Sequence, residues 1–187
     1  MIVLWVLLGV VAIVALWVIM SFNRLVSLKN QTANGWKQID VQLKRRHDLI
    51  PNLVETVKCA MSFEQKTLAQ VIEARNKAIA TQGIADKAAQ ENVLSGALRQ
   101  LFALVENYPN LKSNENVYKL QEELSSTENR IGFARQFYND IATKYNIAQQ
   151  TFPTNTIAGV FRFQPAELFE IKDASEKEVP KVDLSLK

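Results

Sequence analysis

Apolar residues run without a charged side chain from Met1 to Phe22, and the first ionisable side chain is Arg24. Read as a helix rising ~1.5 Å per residue, this run spans ~30 Å, the hydrocarbon thickness of a bilayer. Trp5 and Trp17 lie toward its two ends. From Leu25 onward the pattern narrows to one apolar face. Leu25, Leu28, Thr32, Trp36, Ile39, Leu43, Arg46, Ile50, Leu53 and Val57 recur at three- and four-residue steps, the period of a helix. Pro51 interrupts this face and disfavours the α region at Ile50, yet the phase of the stripe is unchanged across it, which predicts a kinked helix that continues. Met61, Leu68, Val71 and Ile79 extend the pattern to Thr81-Gln82-Gly83, where Gly83 suits a C-terminal cap. Anchor and first helix together then form one rod of nearly eighty residues.

A second, shorter helix is expected from an N-cap at Asp86 through Leu94, Leu98, Leu101 and Val105, ending before Pro109. A third opens near Ser113 or Asn114. Its stripe, Val117, Leu120, Leu124, Thr127, Ile131, Ala134, Tyr138, Ile141, Tyr145, Ala148 and Phe152, keeps a 3.5-residue repeat without a fault, the seam of a coiled-coil-like bundle. Phe152-Pro153 closes it. The expected fold is all-α: an N-terminal transmembrane helix continuing into a long-helix antiparallel bundle of three helices, or four. Because the second helix is short, part of the first must protrude, bind a partner, or be covered by residues 154–171. That segment carries Ile157, Val160, Phe161, Phe163, Leu168 and Phe169 and is expected to pack back on the bundle. The chain thus divides into an anchor (1–22), a helical domain (23–171) and a charged, disordered tail (172–187). The tail's end, Lys181 to Leu186, alternates as a strand-addition peptide would, though a mobile tail is the preferred reading.

Composition changes this picture little, and charge more. Six Gly and five Pro are too few for a turn-rich β fold, and the single Cys59 offers neither a disulfide nor a metal spacing. A signal peptide should open on Lys or Arg and end in small residues, whereas Ile2 opens this run and no A-x-A site follows it, so the apolar run is expected to stay as an anchor. Residues 23–51 hold Arg24, Lys29, Lys37, Lys44, Arg45 and Arg46 against Asp40 and Asp48, a local +4 within a net +3. Cations following the span place the bundle in the cytoplasm and the amino terminus outside. Arg45 and Arg46 stand ~30 Å above the membrane, beyond a Debye length, and aromatics between the cations are sparse. They read as a solvated helix face, with no nucleic-acid partner.

No catalytic constellation emerges, and no cofactor or metal is implied. His47, the one histidine, lies among Arg45, Arg46 and Asp48 and reads as a charged-face residue. Nothing marks Cys59 as an activated thiolate. Glu122 and Glu123 are adjacent and point about 100° apart on a helix, so they cannot share a site. H-E-x-x-H, G-x-S-x-G and P-loop signatures are missing. The unusual positions are charges on or beside the apolar stripes: Glu64 and Arg75 on the first helix, Glu128 and Arg135 on the third. Such residues cost stability and fix register or partner choice. Glu64 and Arg75 are expected to be coupled.

Several stretches resemble the LemA family of bacterial membrane proteins. They are Ile39–Arg46, Asp48–Val54 with Pro51, Glu64, Ala74-Arg75, Glu106-Asn107-Tyr108-Pro109, Thr127–Ile131 with Glu128, Ala134-Arg135, Tyr138-Asn139, Tyr145-Asn146 and Phe152-Pro153. The resemblance covers roughly residues 22–165, with Phe22 and Phe63 standing where the family often has Tyr and His. It implies an N-terminal anchor and a long-helix bundle, no established enzymatic activity, and a link to envelope processes and membrane organisation. It also implies a candidate partner, since genes of this family often neighbour a membrane metalloprotease. The expected function is a non-catalytic scaffold or adaptor in the bacterial cytoplasmic membrane. It would assemble with copies of itself or recruit a membrane protein through apolar stripe left open near Leu25 to Leu43. A bundle that shapes or binds lipid is the alternative, and a hydrolase a remote one.

Overall fold

The computed structural model describes residues 1–58 and 64–170. Six helices follow one another: α1 (Ile2–Lys58), α2 (Gln65–Ala80), α3 (Ile84–Val105), α4 (Pro109–Lys112), α5 (Glu115–Gln150) and α6 (Thr154–Val160). No strand occurs among the described residues.

α1 joins the apolar run to the bundle without a break, passing through Pro51 in helical form. It is the one described helix long and apolar enough to cross a membrane, and no residue of its span-length window is buried in the rest of the chain. The rod is shorter than the stripe suggested. The described part of α1 ends at Lys58, and α2 runs back along it, since Val54 and Lys58 face Leu68 and Gln65 across one groove while His47 meets Arg75. Of the bundles expected, three helices or four, the chain forms one with four long helices, α1, α2, α3 and α5. Periodicity misses this reversal because Ile50, Leu53 and Val57 of α1 and Leu68, Val71 and Ala78 of α2 line the same buried core. Met61 of the predicted stripe, Cys59, Phe63 and the tail from residue 171 lie outside the described residues.

α3 then rises packed chiefly against α2, and α5 descends chiefly against α1, giving an up-down-up-down order. Three cores stack along α1: an upper one with Ile50, Val71, Leu101 and Leu124, a middle one with Ile39, Leu43, Tyr138 and Phe169, and a lower one with Leu25, Tyr145 and Ile157. The α5 seam is buried or half-buried from Val117 to Ala148, whereas Phe152 beyond it is 80% exposed. Asn114 caps α5 as expected, accepting from the amides of Asn116 and Val117 at 2.9 and 3.3 Å. Gly83 differs: it precedes α3 with φ 90°, so α3 begins at Ile84 and Asp86 sits in its first turn, where the carboxylate favours the helix dipole. The left-handed φ requires glycine there. Gly35 is the other positional glycine, on the face of α1 that meets Tyr138 of α5, where an added Cβ would lie 3.5 Å from the Tyr138 Cα.

The lower half of α1 has no α2 or α3 beside it, and residues 154–170 take their place. Leu25, Ile39 and Leu43 are at most 1% exposed, so the open stripe expected between Leu25 and Leu43 does not exist. Two asparagines two helical turns apart hold this strap by its backbone. Asn146 donates to the Ala166 carbonyl and accepts from its amide at 2.9 and 2.8 Å. Asn139 does the same to Phe169 at 3.2 and 2.8 Å. The Tyr138 hydroxyl donates to the Glu167 carbonyl at 2.6 Å. Each primary amide thus satisfies one backbone donor and one acceptor, so the extended strap needs no neighbouring strand.

Candidate functional site

Four long helices meet at a polar cluster about four-fifths of the way up α1. The cause begins with Pro51. A proline inside a helix has no N–H to give the carbonyl four residues back, here that of His47. Arg75 of α2 supplies the missing donor, its Nε lying 2.7 Å from the His47 oxygen. Pro51 and Arg75, far apart in sequence, are therefore one arrangement, and this hydrogen bond ties α2 to α1 at the proline.

Around it lie the charges. Arg46 is buried, and its guanidinium reaches Glu128 of α5 at 3.0 Å, Glu91 of α3 at 3.5 Å and the Ser95 hydroxyl at 2.8 Å. Ser95 donates in turn to Glu128 at 3.3 Å. His47 Nε2 lies 2.7 Å from the second oxygen of Glu91. Burial pulls Arg46 below an ordinary arginine, while Glu128 and then Glu91 hold it up and Arg99 adds repulsion. Taking such charges from water costs several kcal/mol per ion, and their attraction offsets this only when the geometry is good. The cluster is thus a weak source of stability and a strong source of register. Sliding α3 along α1 would part the buried Glu91 from Arg46 and His47, and sliding α5 would take the half-exposed Glu128 from Arg46.

Arg46 and His47 are not the solvated face that their basic neighbours suggested. Arg45 alone is solvent-facing, half exposed in an ion pair with Glu123. Glu64 and Arg75 do not meet. Glu64 is the N-cap of α2 and Arg75 lies eleven residues on, ~16 Å by helical rise, so their expected coupling has no direct contact behind it. Glu128 and Arg135 also serve different ends: Glu128 binds Arg46, and Arg135 stacks over the Phe169 ring at 4.9 Å. Tyr138 and Asn139 hold the strap, with Tyr138 buried against Trp36 at 5.8 Å; burial first, and Glu167 second, push its hydroxyl above the ordinary tyrosine range. Tyr108 packs on the upper core, Pro109 starts α4, and Glu106 ends α3 on the surface. Glu91 and Ser95 escaped notice in the sequence. The signal was present, because Glu91 continues the stripe of Leu94, Leu98 and Leu101 by one step.

None of this assembles a nucleophile with a base, and no group of three potential ligands gathers for a metal among the described residues. What the surface offers is apolar. Val41, Phe133 and Phe137 are 63, 71 and 47% exposed along the outer groove of α1 and α5, edged by Lys37 and Arg130. A second groove opens between the upper ends of α1 and α2, lined by Val54, Leu68, Ala69, Ile72 and Ala80.

Comparison with known proteins matches residues 35–184 to the model of the LemA family. That match takes in most of the tail beyond residue 171, which the resemblance drawn from motifs alone left out. Magnetosome protein MamQ 2 of Paramagnetospirillum magneticum is 26% identical, covering 90% of this chain and 71% of that protein. Protein LemA of Metamycoplasma hominis is also 26% identical, over 87% of this chain and 72% of its own length. Magnetosome protein MamQ of Magnetospirillum gryphiswaldense is 23% identical over 84% and 68%.

Proposed function

The chain belongs to the LemA family, and from that premise we propose that it is a non-catalytic, membrane-tethered scaffold or adaptor. The observation that carries this reading is α1 itself, one helix running from the apolar span into the bundle core. A bundle built on the anchoring helix stands at a set height and angle, which a tethered enzyme on a flexible linker does not need. The buried Arg46 cluster supports the same view, since it holds helix register and presents no reactive group. Cations just after the span favour the cytoplasmic membrane of a bacterium with the bundle inside.

The docking face is the outer groove of Val41, Phe133 and Phe137. Large apolar side chains gathered with Lys37 and Arg130 at their edge fit a partner helix with an apolar face and acidic flanks. The partner is another membrane protein, such as a membrane metalloprotease, or a second copy of this chain. A photo-crosslinking phenylalanine analogue at Phe133, in the full-length protein in native membranes, should give a discrete adduct that the same analogue at exposed Tyr118 does not. Absence of adducts at both Phe133 and Phe137 in folded, membrane-inserted protein would refute this face. A second reading, an assembly that works on lipid directly, draws on relatives named as magnetosome proteins and on the apolar base of the bundle.

A further inference from the structure

The base of the bundle lies at the height of the apolar span. Gly35 of α1 faces Tyr138 of α5, and the two helices run in opposite directions. Twelve residues below that crossing, Gln150 at the end of α5 is level with Asn23. The chain then turns into α6, and the packing agrees with this height. Ile157 and Ala158 are buried with Leu25, and Trp17, Val18 and Phe22 pack against the same group. The Phe161 and Phe163 rings lie 4.7 and 5.8 Å from the ring of Phe22. Trp17, Val18 and Phe22 belong to the uncharged run, and Val18 lies ~6 Å further into it than Phe22.

Large apolar side chains stand exposed at this level beside polar ones such as Thr151, Asn155 and Thr156: Phe152, Val160 and Phe161 are 80, 71 and 52% exposed. Folding in water alone gives no reason to leave them here, since apolar surface held in water forgoes the stabilisation of burial. A membrane interface has such a reason, as it takes aromatic and apolar side chains at the headgroup boundary with cations around them. Arg24, Lys29 and Arg162 supply those cations, and Lys29 already sits 6.0 Å from the Phe163 ring.

We propose that α6, with Phe152 and Phe161 on either side, is a second membrane contact, seated in the headgroup–acyl boundary of the leaflet from which α1 emerges. This rests on reading Met1–Phe22 as a membrane span. One crossing helix leaves the bundle free to tilt and to turn about the helix axis. A foot beside it removes both freedoms, so the docking groove faces one direction over the membrane.

The test places single nitroxide labels on the full-length protein carrying Cys59→Ser, through Phe152→Cys or Val160→Cys, both exposed enough to leave the core intact. Labels at Tyr118→Cys and Val11→Cys mark water and mid-span, Tyr118 being 64% exposed at the far end of α5 and outside the docking groove. In vesicles of equal phosphatidylcholine and phosphatidylglycerol, collision with oxygen is compared with collision with a water-soluble nickel chelate. Labels at 152 and 160 should show an oxygen preference several-fold above that at 118 and below that at 11. If they match the label at 118 while the label at 11 is deep, the anchor stands and the foot is refuted. If the label at 11 is also water-accessible, the span reading fails and the foot with it. Labels at 152 and 160 shielded from both agents, with spin–spin broadening, would overturn the proposal in favour of contact with a second copy.

Discussion

Removing Arg75 tests whether Pro51 and α2 are physically coupled. The Arg75 Nε bond to the His47 carbonyl is 2.7 Å long, and His47 is 6% exposed. A hydrogen bond with a charged donor contributes about 1.5–3 kcal/mol, and a buried carbonyl left unpaired costs a similar amount. Arg75→Met keeps the apolar stem and so isolates the lost donor. It should cost about 2 kcal/mol, which lowers the melting temperature by about 4–8 °C at this chain length. Pro51→Ala supplies a new amide to the same carbonyl four residues back. Pro51 is exposed, so its ring forfeits little packing, and the change should be stabilising, by up to ~3 kcal/mol. In that background Arg75→Met no longer strands the His47 oxygen and should cost under ~1 kcal/mol. The four proteins, unfolded by guanidinium in one detergent and followed by circular dichroism, form a double-mutant cycle with an expected coupling of about 1–2 kcal/mol. Additivity within ~0.3 kcal/mol would refute the assignment of Arg75 to the carbonyl released by Pro51.

Arg46→Met should cost about 3–5 kcal/mol, because Glu91 stays buried without its cation, and Arg46→Met with Glu91→Leu should recover much of the loss; a single-mutant cost below ~1 kcal/mol in chemical denaturation would mean that water reaches the cluster. Gly35→Ala brings a Cβ to 3.5 Å from Tyr138, an ordinary contact, so the helix gains up to ~1 kcal/mol of propensity. Gly35→Leu has no such room and should force α1 from α5 at about 1–3 kcal/mol, both read from thermal melts. Tyr138 binds its proton more tightly when folded, because of burial and Glu167. Its contribution is therefore complete below the ordinary tyrosine pKa of about 10 and is lost as pH rises through the higher folded value. Stability measured across that range should decline, and less steeply in Tyr138→Phe.

How much of this was legible in the sequence depends on what a stripe can encode. An apolar period records which face is buried, and α5 shows its strength: every seam position from Val117 to Ala148 is covered. The period does not record what covers a face. The stripe of Leu25 to Leu43 was readable, but its cover is α5 together with a strap held by Asn139 and Asn146 through backbone bonds that the strap's own sequence does not advertise. Nor does it record direction, so α1 and α2 read as one rod. Charges on a stripe were the better guide. Arg46, Arg75 and Glu128 all stood out, but as separate oddities, because the helices that join them are set by tertiary packing.

Pro51 shows what was missing. Alone it signals a kink, and Arg75 alone signals an awkward polar residue on an apolar face. Only the register of α2 against α1 makes the second the answer to the first. The same reasoning bears on α6, whose exposed Phe152 and Val160 look like faults until α5 is seen to end level with the span. A residue that breaks a local rule is better explained by what stands opposite it than by its own neighbours. At the base of this bundle, the counterpart we propose is lipid.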